Sequence, residues 1–330
     1  GSYNTALGRD AGRSITTGAG NICLGHNTND ASNTANVVAI GPFALTSNQS
    51  DSVVAMGYFA LKDNTNGTGN TAVGHNSMAS NTSGANNTTL GSLTLDSNTT
   101  GGNNTAVGYN ALSVQTTGES NVAVGTNAGD ALTTGAYSIA IGHGALTEAT
   151  SAMSNTAIGF EALKACTTGQ RNVAIGTNTG NAITTGSDNV LLGRDAGTSG
   201  SPSGNVTTAD GQVCIGDNNV VNAFIKVAFT VTSDQRDKIE DGVVSHGLSF
   251  VNQLKPKSFW FRKNRESEEK TGDKRYGFYA QDILALEGDD SVIIDSKDSN
   301  NLKFKGDQLI PVLVNAIKEL SAKVTALEAG

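Results

Sequence analysis

A single tryptophan, four prolines and an aromatic share of 5% leave this 330-residue chain short of the bulky side chains that fill an ordinary globular core. Its three cysteines, Cys23, Cys166 and Cys214, are odd in number and far apart. That excludes a disulfide framework and any C-x-x-C metal site. They are expected to be small buried apolar residues, and no metal or cofactor site is expected. No apolar run approaches the roughly 18 residues that a membrane-spanning helix needs. The net charge of −8 excludes a polyanion binder of the usual basic kind, so no nucleic-acid partner is expected. The chain opens inside a repeat, Gly1-Ser2-Tyr3-Asn4, without a charged-then-apolar secretion signal, as expected of a piece cut from something longer. Charge itself is scarce over most of the chain. Residues 1–232 hold 7 Lys+Arg and 13 Asp+Glu, whereas the 98 residues of 233–330 hold 15 and 17. Two architectures are expected, with a boundary near Ser233.

Glycine, asparagine, threonine and alanine are what the first part has in abundance, and they recur with a period. The unit is Asn-(Thr/Val)-Ala-aliphatic-Gly, as in Asn70-Thr71-Ala72-Val73-Gly74 and Asn172-Val173-Ala174-Ile175-Gly176. Thirteen closing glycines run from Gly8 to Gly216, mostly 17 residues apart, with two spacings of 16 and a final one of 23. The long spacing marks an insertion at Gly197–Gly211. Many repeats continue with a Thr-Thr-Gly turn, as at Thr116-Thr117-Gly118, whose glycine is expected to supply a positive φ. Seventeen residues are too few for a helical hairpin. They suit two short strands and two turns, one coil of a parallel β-solenoid. Alternation puts Thr105 and Val107 on one face and Ala106 and Gly108 on the other. The aliphatic face is expected to fill the coil, and the Ala/Gly face to let a neighbouring chain approach. Asparagines in register can form side-chain ladders.

These repeats resemble those of trimeric autotransporter adhesin heads, where a similar unit builds a β-roll, and those of phage tail fibres. No active site is expected in the array. Asp10, Asp130 and Asp195 sit in (Arg/Gly)-Asp-Ala turns at equivalent places of separate coils, so they read as turn caps and not as a carboxylate pair. His26, His75 and His143 lie near repeat glycines several coils apart and read as surface residues.

Beyond Gly216, Ala223–Thr232 reads as an apolar strand with Phe224, Val227 and Phe229, the end of a β stem over 217–232. Then come Ser233-Asp234-x-Arg236-x-Lys238, Leu254-Lys255-Pro256 with aromatics, Gly277-Phe278-Tyr279-Ala280-Gln281-Asp282, and Leu302-Lys303-Phe304 before a terminal helix. This order resembles the intramolecular chaperone auto-processing domain of phage endosialidases and tail fibres, over residues 233–330. The resemblance implies a domain that trimerises, guides folding of the β-stem before it, and then cuts the Thr232–Ser233 bond once. It also implies a Ser233–Lys238 dyad, a single-turnover serine endopeptidase. A Ser hydroxyl needs a base, and a neutral lysine amine serves where its surroundings lower its pKa. Asp234 is expected to support the site, and Gln281 to contact it. The alternative for Ser233-Asp234 is a helix cap before Gln235. His246 reads as solvated or structural.

In the C-terminal helix, expected over 308–329, Ile310, Leu313, Ile317, Leu320, Val324 and Leu327 follow a 3-4 heptad spacing, with β-branched residues at a and leucine at d. That choice leans towards dimers, while the resemblance implies trimers. The fold class expected is therefore mainly β: a parallel β-solenoid stem over 1–216, trimeric, then a small α+β chaperone domain ending in a coiled-coil helix. The function expected is a phage tail-fibre or tail-spike segment, sited on the virion tail and assembled in the host cytoplasm. Its partners would be two further copies of itself and a bacterial surface receptor, polysaccharide or outer-membrane component. Two rivals are a bacterial trimeric adhesin, which should end in a membrane-anchoring β-barrel, and a self-releasing transcription factor, which should carry a basic DNA-binding domain.

Overall fold

The structure is a computed structural model that describes the whole chain except residues 31–32, 227–232, 263–264 and 289–290. Two compact units divide it, Gly1–Asp217 and Asn218–Gly330.

Unit 1 is a parallel β-solenoid. Its described residues hold thirteen strands of three residues each, from β1 (Thr5–Leu7) to β13 (Val213–Ile215), in one sheet whose spatial order is the chain order. Register follows the repeat, so that β7 (Thr105–Val107) pairs with β8 (Val122–Val124) as Thr105↔Val122, Ala106↔Ala123 and Val107↔Val124. Each coil holds one strand, where the sequence suggested two. The remainder of the coil is turns, which still stack by backbone hydrogen bonds: Leu112 N donates to Ala128 O at 3.0 Å and Thr116 N to Thr133 O at 2.9 Å. The backbone is thereby satisfied coil to coil without a second sheet.

The face assignment is the reverse of the expected one. The central residue of each strand points into the coil: Ala72, Ala106, Ala123 and Ala157 are fully buried against turn leucines such as Leu61, Leu95, Leu112 and Leu163. The flanking Thr, Val and Ile point outward. A coil this thin has room for one layer of methyl groups beside the leucines, so the small residue is inside. Cys23 and Cys214 occupy this central position, and all three cysteines are free and buried.

Two columns of amide side chains run through the interior. In one, Asn104 Nδ2 donates to Gly118 O at 3.1 Å, while Asn104 Oδ1 accepts Asn121 N at 2.9 Å. In the other, Asn81 Nδ2 donates to Asn64 Oδ1, and Asn98 Nδ2 to Asn81 Oδ1, each at 2.7 Å. Gln115 and then Cys166 stand further along that second column. Burial pushes the Cys166 thiol up to about 11, with a hydrogen bond to Gly169 O opposing the rise. The insertion at Gly197–Gly211 lies between β12 (Val190–Leu192) and β13 and buries Val206.

Unit 2 is a small α+β domain. It contains α1 (Leu248–Val251), an antiparallel hairpin of β14 (Lys257–Arg262) and β15 (Lys270–Gly277), α2 (Ala280–Glu287), a short pair of β16 (Ile294–Asp295) and β17 (Lys303–Phe304), and the 20-residue α3 (Leu309–Glu328). Phe250, Ile283, Ile293, Ile294, Leu309 and Val312 form its core. The buried Glu287 carboxylate accepts the backbone N–H of Val292 (2.8 Å), Ile293 (2.6 Å) and Ile294 (3.0 Å), which fixes the turn leading into β16. On the hairpin, Lys270 and Lys274 lie over the Trp260 ring. Residues 223–226 of the expected apolar strand are irregular, and 227–232, with Val227, Phe229 and Thr232, fall outside the described residues.

Candidate functional site

The seam is built by six residues of sequence, Ser233–Lys238. Gln235–Asp237 form one turn of 3-10 helix, with Asp234 as its cap: Asp234 Oδ1 accepts Arg236 N at 2.9 Å. A single such turn brings the residue before the cap close to the residue after the helix. Lys238 Nζ accordingly lies 2.5 Å from Ser233 Oγ. The structure thus brings together the two residues proposed as nucleophile and base. The cap itself is Asp234, not Ser233, which leaves the serine hydroxyl to the lysine.

Asp234 does a second thing. Its carboxylate is held bidentate by the Arg236 guanidinium, with Nη2 to Oδ2 at 2.6 Å and Nε to Oδ1 at 3.1 Å. The Arg236 side chain and then its backbone N–H hold the Asp234 carboxyl below the usual carboxylate range. Asp234 thus shapes the turn that carries the pair, and no hydrogen bond links it to Ser233 or Lys238 among the described residues. Gln281 is exposed on the first turn of α2, and among the described residues it makes no hydrogen bond to Ser233, Asp234 or Lys238. His246 stacks on Phe250 with ring centroids 4.2 Å apart, and its carbonyl accepts Asn315 Nδ2 at 2.9 Å. Its role is structural, tying α1 to α3.

The six heptad residues of α3 form an exposed stripe: Ile310, Leu313, Ile317, Leu320, Val324 and Leu327 all reach solvent, whereas Leu309, Val312 and Ala316 on the other face are buried in the domain. The stripe read from the sequence is therefore the face that the domain itself does not use. Sequence reasoning missed Glu319, whose carboxylate accepts Leu248 N at 2.9 Å and joins this helix to α1. A contact across 71 residues has no local signature.

In the array, Asp10 and Asp195 follow the repeat glycine by two residues and adopt left-handed φ values of 61° and 54°. Asp130 occupies a different place, five residues after Gly125, so the three are not equivalent as expected. His26, His75 and His143 lie in the outer turns, against Phe43 (5.0 Å), Tyr58 (5.6 Å) and Phe160 (5.4 Å) respectively. Among the described residues no three His, Cys, Asp or Glu side chains converge on a metal position, and no helix is long and apolar enough to cross a membrane.

The fold defines a class, a parallel β-solenoid stem followed by a small α+β domain with a terminal helix. Residues 233–292 match the model of a peptidase family described as the chaperone of endosialidase, and the match begins at Ser233. Together, the solenoid and this match fit a tail fibre with an intramolecular chaperone domain, as the resemblance implied, and the match implies a self-cleaving, peptidase-like chaperone. No curated protein and no solved structure matches the chain.

Proposed function

We propose that this chain is a phage tail-fibre or tail-spike segment whose C-terminal domain gathers three copies, directs folding of the solenoid and then releases itself by cutting Thr232–Ser233. The observation that carries this proposal is the 2.5 Å approach of Lys238 Nζ to Ser233 Oγ at the first residue of the matched region. In the proposed step, Ser233 Oγ attacks the carbonyl carbon of Thr232 while Lys238 takes the hydroxyl proton. That proton passes to the amide nitrogen of Ser233 as the peptide bond breaks, leaving an ester between the Thr232 acyl group and the serine oxygen. Water then hydrolyses the ester to a Thr232 carboxylate and restores the hydroxyl on a new N-terminal Ser233.

Ser233 and Lys238 are both exposed in the single chain. A lysine acts as a base only where desolvation favours its neutral amine. Cleavage is therefore tied to assembly: neighbouring copies cover the seam, and the cut follows. The exposed stripe of α3 supports the gathering step, because six apolar side chains at heptad spacing on an uncovered face call for partner helices. Holding three chains together raises their effective concentration and sets register for a topology rich in nonlocal contacts. Removing the domain afterwards closes the return path and gives kinetic stability. The remaining solenoid would face the bacterial surface on the virion tail, with a polysaccharide or outer-membrane component as receptor. Ser233→Ala should give one full-length band on a denaturing gel where the parent gives two. Two bands from Ser233→Ala would end the self-cleavage proposal, and normal cleavage by Lys238→Ala would remove the lysine from it.

A further inference from the structure

The outward face of the solenoid sheet is restricted to a few residue types. The residue before the repeat glycine is apolar in all thirteen coils, aliphatic in twelve and Met56 in the other, although it points out of the coil. In the single chain seven of these side chains are exposed, among them Leu90 at 52%, Ile175 at 41% and Ile141 at 36%, and the other six, Val124 included, are half-buried. The residue two places earlier is Thr, Val or Ile in every coil. The position just after the glycine, also on the exterior, is unrestricted, with Arg9, His26, Tyr58, Ser92, Thr126 and Phe160 among its occupants.

Strand propensity alone does not produce this contrast. Threonine suits a three-residue strand as well as valine does, and it fills the earlier outward position in five coils. It never appears before the glycine. A position that excludes every polar residue in thirteen independent copies is one that loses water. The stripe carries no charge, which disfavours an anionic or cationic partner. Its rungs are spaced by about 4.8 Å, so thirteen coils make a face roughly 60 Å long and 10 Å wide. That is about 600 Å² on each copy, approaching the ~800 Å² per partner of a standard stable interface. A partner must also match a thirteen-rung period. A second copy of the same chain, parallel and in register, matches it by symmetry.

We propose that this apolar stripe is the face on which copies of the chain pack against one another, equivalent coils level, around a common axis. The inference deepens the proposed assembly into three copies and rests on it. It also replaces the Ala/Gly face expected from the sequence, whose alanines are buried inside each coil.

Single cysteines placed in the full chain test it, because the three native cysteines are buried and leave the parent chain as a silent background. Val124→Cys sits on the stripe and Thr126→Cys on the unrestricted column of the same coil. With a short bismaleimide, Val124→Cys should place about two thirds of the chains in a cross-linked pair on a denaturing gel, the most that one cysteine per chain allows in a threefold assembly. Thr126→Cys should give none. Cross-linking by Thr126→Cys and not Val124→Cys, in a protein whose native mass is that of three chains, would overturn the stripe while leaving the assembly standing. A native mass of one chain for the unsubstituted protein would overturn both.

Discussion

Glycine has two separate duties in each coil, and the positive φ expected of the Thr-Thr-Gly turns belongs instead to the repeat glycines. The repeat glycines need a left-handed backbone: Gly108 has φ 132°, and a Cβ there would sit 2.6 Å from Gly125 O in the next coil. The Thr-Thr-Gly glycines do not take positive φ. Gly118 is small because a Cβ would run into Gly135 O of the following coil. The left-handed positions of the turns are filled instead by Asn, Asp and even buried leucines such as Leu112 at φ 52°, a conformation that costs a leucine about 1–2 kcal/mol. Gly108→Ala should therefore destabilise the solenoid by on the order of 3 kcal/mol or prevent its formation, as thermal melting would report. Asn104→Ala leaves Gly118 O and Asn121 N without their buried partner and should cost about 2–4 kcal/mol; an unchanged melting temperature would refute the ladder's contribution. Asp130 tests the electrostatics. Burial raises its carboxyl above the usual range, against hydrogen bonds from its own and Ala131's backbone and from Asn110. A folded-state value above the unfolded one means that ionisation costs stability. The cost is absent below the unfolded value and fully present once pH has risen past the folded one. Asp130→Asn should therefore raise the melting temperature at pH 7 and leave it nearly unchanged near pH 3.

At the scale of elements, period and register were legible while inside and outside were not. A repeat of glycines and an alternation of two tell which residues share a face. They do not tell which way a short chain curls, and in a coil this thin the alanine goes in and the valine out. The second strand was overread for a related reason, because turns that stack can satisfy their backbone as strands do. In unit 2 the heptad of α3 was readable because amphipathicity is local. The seam was readable because Ser233 and Lys238 flank a single capped helical turn, Gln235–Asp237. The tie of Glu319 to α1, like any partner for Gln281, lies beyond local spacing. The two stripes of α3 predict opposite outcomes. Val312→Ala should lower the stability of the domain by about 1–3 kcal/mol, a loss of buried methyl groups seen in its melting. Ile317→Asp with Leu320→Asp should leave helix content by circular dichroism unchanged and reduce the native mass to one chain. Retention of a threefold mass by that double variant would show that α3 is not the gathering element.

At the scale of the whole molecule, charge is scarce in the repeat array and dense from Ser233 onward. The array has polar amides paired inside it and few ionised groups to titrate. The region from Ser233 onward is an ordinary charged domain, folded around three helices, with Ser233 and Lys238 placed at its first turn. If assembly covers that turn, cutting depends on gathering, and the α3 double variant should remain uncut although Ser233 and Lys238 are intact. Cleavage of that variant at the normal rate would uncouple the two. The most direct test of the central claim is the mass of the purified full-length gene product, taken once under denaturing and once under native conditions. The account predicts two denatured species that divide between Thr232 and Ser233, and a native stem mass of three copies. A single uncut polypeptide with a native mass of one chain would contradict it.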